Sequence, residues 1–438
     1  MKNLTSKQLR TIEFSVKRLF GDSSFTSPCV DKNQSPKEFL TRQLNLPDHR
    51  TISLTDSGLE HMRKIVATLD EANIFDGKVN YADVWLACRQ IIENFLSRLE
   101  MPENSAEFVD LIRKNLSAKI KVFTFVVPLF GVEMDGIDEI PLGTMRVIKP
   151  SMDFFDSFGI KHDHVDTKTL FETSNYCLWL IGSADGTLDV ALEKFRINAE
   201  LSVGILSVCA ASMYEHGASG FRIGTIMSPE QAYGRAIWIS WDNASMAATM
   251  HYKFVSTQNF PVDTHLIQQL ATSDVLKKAF SIIESSQRTP LEDAIARSIY
   301  WFSDAQREKF QAMKLVKFWS CVEVFFSAEN QDITRSVSVG LACVLVFGGY
   351  KFVAEQDYET LKKRIANLYK LRSRAVHRAS HQHVSYTDTA DLSKLVAQMI
   401  LNMISFAEQG RKDVKEIKKA TDQIDKRITV DQQRSELR

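Results

Sequence analysis

The sequence predicts an α+β multidomain chain, with a helical N-terminal region (1–118), an α+β middle domain (119–285) and a C-terminal all-α bundle (286–438). Three observations carry this. Apolar residues recur at helical spacing at both ends of the chain, the middle switches to runs rich in β-branched and aromatic residues, and 438 residues exceed what a single core usually organises. Lys and Arg number 54, against 54 Asp and Glu, so the formal net charge is zero; 44% of residues are hydrophobic. That balance excludes disorder and low-complexity classes. It also excludes a protein that coats nucleic acid by bulk charge, so any RNA contact must come from a local basic patch.

Taken in order, Thr5 and Gln8 form a capping box ahead of the stripe Leu9, Ile12, Val16, Leu19 and Phe20. Ser23–Asn45 has loop chemistry around Pro28 and Pro36, and Val84, Cys88, Ile91, Ile92, Phe95 and Leu99 define a further amphipathic helix. Residues 119–131, 144–149, 176–181, 235–241 and 246–257 read as strands, interrupted by a long helix through Leu192, Phe195, Ala199, Leu206, Ala210 and Met213. From Pro261 onward the pattern is helical. Thr289-Pro-Leu-Glu292 is a capped start with Pro in the first turn, and helices follow at about 291–302, 307–327, 333–347, 358–376 and 390–408. After Gly410 a charged terminal helix (411–438) keeps only a thin apolar seam of Val414, Ile417, Ile424 and Ile428. It is read as capping the bundle, with a coiled coil against a second chain as the alternative.

Met1–Arg10 carries charge where a secretory leader needs an apolar core, and the longest apolar stretches, Leu201–Tyr214 and Ser336–Tyr350, fall short of the roughly 20 residues of a membrane span. The six cysteines are scattered, without a Cys-x-x-Cys pair, and read as reduced thiols. The expectation is a cytoplasmic protein that makes no membrane contact.

One window departs from the balanced composition. Leu361–Ser380 holds Lys362, Lys363, Arg364, Lys370, Arg372, Arg374 and Arg378 with no Asp or Glu, and His377, His381 and His383 cluster at its end. The apolar line Leu361, Ile365, Leu368 runs onto Arg372, a permanent charge that is costly on a core-facing line unless paired. Glu323 lies beside the stripe Leu315, Phe318, Trp319, Val322 and Phe326 and is the expected partner.

Arg372-Ser-Arg-Ala-Val-His377 matches the Arg-x4-6-His signature of the HEPN superfamily. With Trp319-Ser-Cys-Val-Glu323-Val-Phe-Phe, a helix carrying Arg335, and the Ala294–Trp301 run, the last third of the chain resembles the Apea-like HEPN branch. Arg378 stands where that motif usually continues with a small residue. The resemblance implies a metal-independent endoribonuclease acting as a homodimer, with its composite site at the two-fold axis. No cofactor is needed, because RNA supplies its own 2′-OH nucleophile. It casts His377 as general base or acid and Arg372 as stabiliser of the phosphorane charge, with Ser373 and Glu323 in support. Lys370, Arg374, Arg378 and His381 become candidate phosphate contacts. The implied setting is antiphage defence or growth arrest, with a phage-derived or nucleotide trigger. The rival class is a non-catalytic HEPN scaffold for dimerisation or nucleotide binding that recruits a partner. On an ideal helix Arg372 and His377 lie about 140° apart, so they converge only if the helix ends between them or if two chains share the site.

Other chemistries are less well supported. His377, His381 and His383 have a metal-compatible i,i+4 spacing, but no nearby Cys or carboxylate completes the set, and Lys161-His-Asp-His-Val-Asp166 reads as a solvated loop. Phosphate loop, dinucleotide fingerprint, nucleophile elbow and His-Glu-x-x-His motifs are all missing. Trp85, Trp179, Trp238 and Trp241 read as packing. Residues 1–285 are read as a sensing, positioning or autoinhibitory module.

Overall fold

Thr5 begins the first helix as predicted. Its side chain accepts from the Gln8 backbone while the Gln8 side chain closes the reciprocal bond, and Ser6–Leu19 (α1) buries Ile12, Val16 and Leu19. The computed structural model describes residues 4–21, 23–27, 40–160, 165–213, 221–225, 236–241, 248–253, 259–327, 332–378 and 384–436, with backbone alone at 158, 165, 236–241, 248–253, 377–378 and 431–436. The chain forms two compact units, residues 1–125 with 183–195, and residues 126–182 with 196–438.

In the first unit, α1 packs with Asp56–Glu71 (α2), Tyr81–Arg98 (α3) and Ser105–Lys119 (α4) around one apolar core. Phe20 lies edge-on to Phe95 and Phe108, with ring centroids 5.7 and 6.0 Å away. The predicted seam of α3 is buried from Val84 to Phe95. Leu99, expected to continue it, is instead the exposed left-handed residue that ends the helix, at φ 57°. Within the span read as helical or loop, Phe25–Thr26 (β1), Gln43–Asn45 (β2) and Thr51–Leu54 (β3) form a small antiparallel sheet in the order β1-β3-β2. These strands are too short to display an alternating pattern.

The second unit contains most of a five-stranded sheet in the order β6-β7-β8-β4-β9, built from Glu139–Leu142 (β6), Met145–Ile148 (β7), Leu178–Gly186 (β8), Lys121–Phe130 (β4) and Gly224–Thr225 (β9). Val132–Met134 (β5) pairs in parallel with Phe260–Val262 (β12), and Ala236–Trp241 (β10) with Ala248–Lys253 (β11) in antiparallel fashion. Val165–Ser174 (α5) and Leu188–Met213 (α6) are the helices among these strands. Trp179 is fully buried, and its indole N–H donates to Ser174 Oγ at 2.9 Å. The expected strands are therefore present, and Trp238 and Trp241 lie in β10, where only the backbone is described.

Thr264–Thr272 (α7) and Asp274–Glu284 (α8) lead into the bundle of Pro290–Arg307 (α9), Gln311–Phe326 (α10), Ile333–Phe347 (α11), Tyr358–Arg378 (α12), Tyr386–Glu408 (α13) and Val414–Glu436 (α14). Thr289 and Glu292 make the predicted capping box of α9, with Pro290 at its first position, and Gly348 ends α11. A Cβ at Gly340 would run into the Phe326 ring, so glycine there lets α11 approach α10 closely. The sequence places a boundary at 285/286, but residues 126–182 and 196–285 share one unit with these helices. Three contacts explain why: Arg307 pairs with buried Glu200 at 2.7 Å, the Thr144 amide donates to Glu284 at 2.6 Å, and Gly204 lies against Ile299. The chain is therefore a mixed α+β, multi-unit protein with a helical C-terminal region. No helix among the described residues is long and apolar enough to cross a membrane.

Candidate functional site

Helices α10 and α12 pack side by side, and their facing lines bring Glu323 and Arg372 together. Arg372 Nη2 lies 3.0 Å from Glu323 Oε1 and 3.1 Å from Oε2, so the pair expected from helical phase alone is present. The Arg372 and Glu323 side chains are 21% and 20% exposed, an intermediate setting in which the charges are screened less than on an open surface. Glu323 holds the guanidinium by one nitrogen, and Arg372 Nε has no hydrogen-bond partner. The charge is thus fixed in place by Nη2, while the unpartnered Nε is itself buried.

Tyr369, not among the residues singled out from the sequence, completes the arrangement. Its hydroxyl donates to Glu323 Oε1 at 3.0 Å, and the Arg372 guanidinium carbon sits 5.6 Å from its ring centroid. Trp319, fully buried, meets the Tyr369 ring edge-on at 4.9 Å. Burial, followed by the Glu323 charge, pushes the Tyr369 hydroxyl up to about 12, so it remains a donor across the physiological range. The one sequence signal for Tyr369 was its position three residues before Arg372, which places the two as neighbours along a helix surface.

The remaining candidates fall as follows. Helix α12 continues without interruption through Arg378, so it does not end between Arg372 and His377, and the backbone keeps positions 372 and 377 about 140° apart. The side chains of His377 and Arg378 lie outside the described atoms, and His381 lies outside the described residues, as do His383 and residues 161–164. Ser373 is half-buried beside Arg372, while Lys370 and Arg374 are exposed. Among the described residues, Lys370 bonds Asn367, at 3.5 Å. Lys362 bonds Glu359 and Asp425, and Arg364 bonds Asp391, so these two basic residues serve the fold. Among the described residues, no group of three or more His, Cys, Asp or Glu is placed to hold a metal.

The described cysteines are free thiols. Cys88, Cys209, Cys321 and Cys343 are buried and Cys177 partly so, and burial raises each above its ordinary value, Cys343 to about 11 and Cys209 to about 12. They remain protonated and are poor nucleophiles. The chain matches no family profile, no curated protein and no solved structure.

Proposed function

We propose that the chain is a metal-independent endoribonuclease of the Apea-like HEPN type, working as a homodimer. The supporting observation is Arg372, part-exposed and paired with Glu323, which also accepts from Tyr369, on the unbroken helix that leads to position 377. In the reaction, the 2′-oxygen of a ribose attacks the adjacent phosphorus as its proton passes to a base. The bond to the 5′-oxygen breaks, and that oxygen gains a proton. The ends left are a 2′,3′-cyclic phosphate and a 5′-OH. His377 is the proton carrier, because imidazole titrates near neutrality. Arg372 offsets the negative charge that builds on the non-bridging oxygens, and Glu323 keeps it from collapsing into other contacts.

Since α12 separates positions 372 and 377 around its axis, Arg372 of one chain works with the His377 of a second chain across a two-fold axis. Ser373 supports the phosphate, and Lys370, Arg374, Arg378 and His381 contact the flanking backbone. Residues 1–285 restrain or aim the nuclease in an antiphage or growth-arrest response, and a phage-derived or nucleotide signal releases it. The test is incubation of total cellular RNA with the purified protein in excess EDTA, beside Arg372→Ala and His377→Ala. Cyclic-phosphate ends should form with the wild type and be lost by at least about a hundredfold in both variants. Undiminished cleavage by His377→Ala would remove this mechanism, and so would strict dependence on a divalent metal.

A further inference from the structure

Helix α12 has two unlike faces. Leu361, Ile365, Leu368, Tyr369 and Arg372 fall on the packed side. Lys363, Lys370 and Arg374 fall within about 40° of one another on the opposite side, at i, i+7 and i+11, and the same stripe reaches backbone position 377. All three cations are exposed, and none pairs with a carboxylate among the described residues. This contrasts with their neighbours on the helix. Glu359 and Asp425 take Lys362, Asp391 takes Arg364, and Glu323 takes Arg372, so the nearby carboxylates are engaged elsewhere. No Asp or Glu occurs between residues 360 and 378. In a chain whose charges balance, α12 therefore carries a row of unneutralised cations, about 16 Å from Lys363 to Arg374, one turn short of the proposed proton carrier.

We infer that this stripe is the track for the phosphate backbone of single-stranded RNA, with Lys363, Lys370 and Arg374 each neutralising one phosphate on one side of the cut. The inference rests on the ribonuclease reading and names its substrate class. A single strand is required because in-line attack needs the 2′-oxygen to swing behind the scissile phosphorus, which A-form stacking in a duplex prevents. Lys363 has no place in the Arg-x4-His motif. It enters only through the helical register.

The experiment measures binding apart from cleavage. Full-length His377→Ala is titrated into a fluorescent single-stranded 12-mer RNA at a series of salt concentrations. Each phosphate neutralised contributes about −0.7 to the slope of log K against log salt, so Lys363→Gln/Lys370→Gln/Arg374→Gln should reduce the slope by about 2. A control of equal charge change on exposed lysines elsewhere, Lys114→Gln/Lys415→Gln/Lys419→Gln, should leave it unchanged. A duplex of the same length should resist cleavage by the wild type under conditions in which the single strand is cut. An unaltered slope in the stripe variant, an equal loss in the control, or cleavage of the duplex as fast as the single strand would each overturn the inference. The two proposals fail separately. Stripe-dependent binding by a protein that never cleaves RNA would leave the track and remove the nuclease. Metal-free cleavage that the stripe variant performs as the wild type does would leave the nuclease and remove the track.

Discussion

Glu323 accepts from two donors on α12, and its geometry sets what Arg372 can do. Arg372 alone would fix the carboxylate along one direction. The Tyr369 hydroxyl fixes a second, and the buried Trp319 ring stops Tyr369 from turning away. Tyr369→Phe deletes this one hydroxyl and keeps the packing. It should lower stability by about 1–2 kcal/mol in urea denaturation. It should also reduce kcat for RNA cleavage about tenfold with KM little changed, because a misaimed guanidinium is felt in the transition state rather than in binding. Wild-type kcat in that variant would mean that Arg372 holds Glu323 unaided. The Glu323–Arg372 pair was legible in the sequence because both residues interrupt or flank apolar stripes whose phase can be counted. Tyr369 was not, because a tyrosine on a core line is satisfied by packing and only the tertiary fold reveals where its hydroxyl points.

At the scale of elements, α14 is fastened by a polar latch rather than by its thin apolar seam. Ile417, Thr421 and Asp425 are its buried positions, whereas the sequence marked Val414, Ile417, Ile424 and Ile428. Asp425 accepts from Lys362 at 2.8 Å, Tyr358 at 2.9 Å and Arg335 at 3.3 Å, tying α14 to α11 and α12. Burial raises the Asp425 carboxyl, but the hydrogen bonds from Lys362 and Tyr358 outweigh it and hold the group below its ordinary range. The latch is therefore fully formed at neutral pH and loses its contribution as pH falls through that lowered value, below about 4. Asp425→Asn should cost about 1–3 kcal/mol at pH 7 and accelerate amide exchange in α14. The urea midpoints of variant and wild type should converge in acid; a gap that persists there would assign the loss to packing instead. The bundle helices were readable because long 3.6-residue periods and capping residues such as Thr289 and Glu292 announce them. The strands β1, β2, β3 and β6 were not, since two to four residues cannot display a period and their pairing is decided by distant partners.

At the scale of the whole molecule, the sequence indicated a mixed α+β chain with helices at the end. It did not reveal that residues 126–182 and 196–285 share one unit with the bundle, because contacts such as Glu200–Arg307 join residues more than a hundred positions apart. α12 is anchored on its packed side by its neighbours and presents its basic side outward, which is what the proposed two-chain nuclease needs. The helix runs unbroken from Arg372 past position 377 and keeps the two about 140° apart in one chain, so the proposed site takes one residue from each of two chains. The most direct measurement is cleavage by a purified mixed dimer, one chain carrying Arg372→Ala and the other His377→Ala, each with its own affinity tag. One of its two composite sites then joins an intact Arg372 to an intact His377. The account predicts about half the wild-type rate per dimer, although either variant alone is inactive. A mixed dimer as inactive as its parents would contradict it.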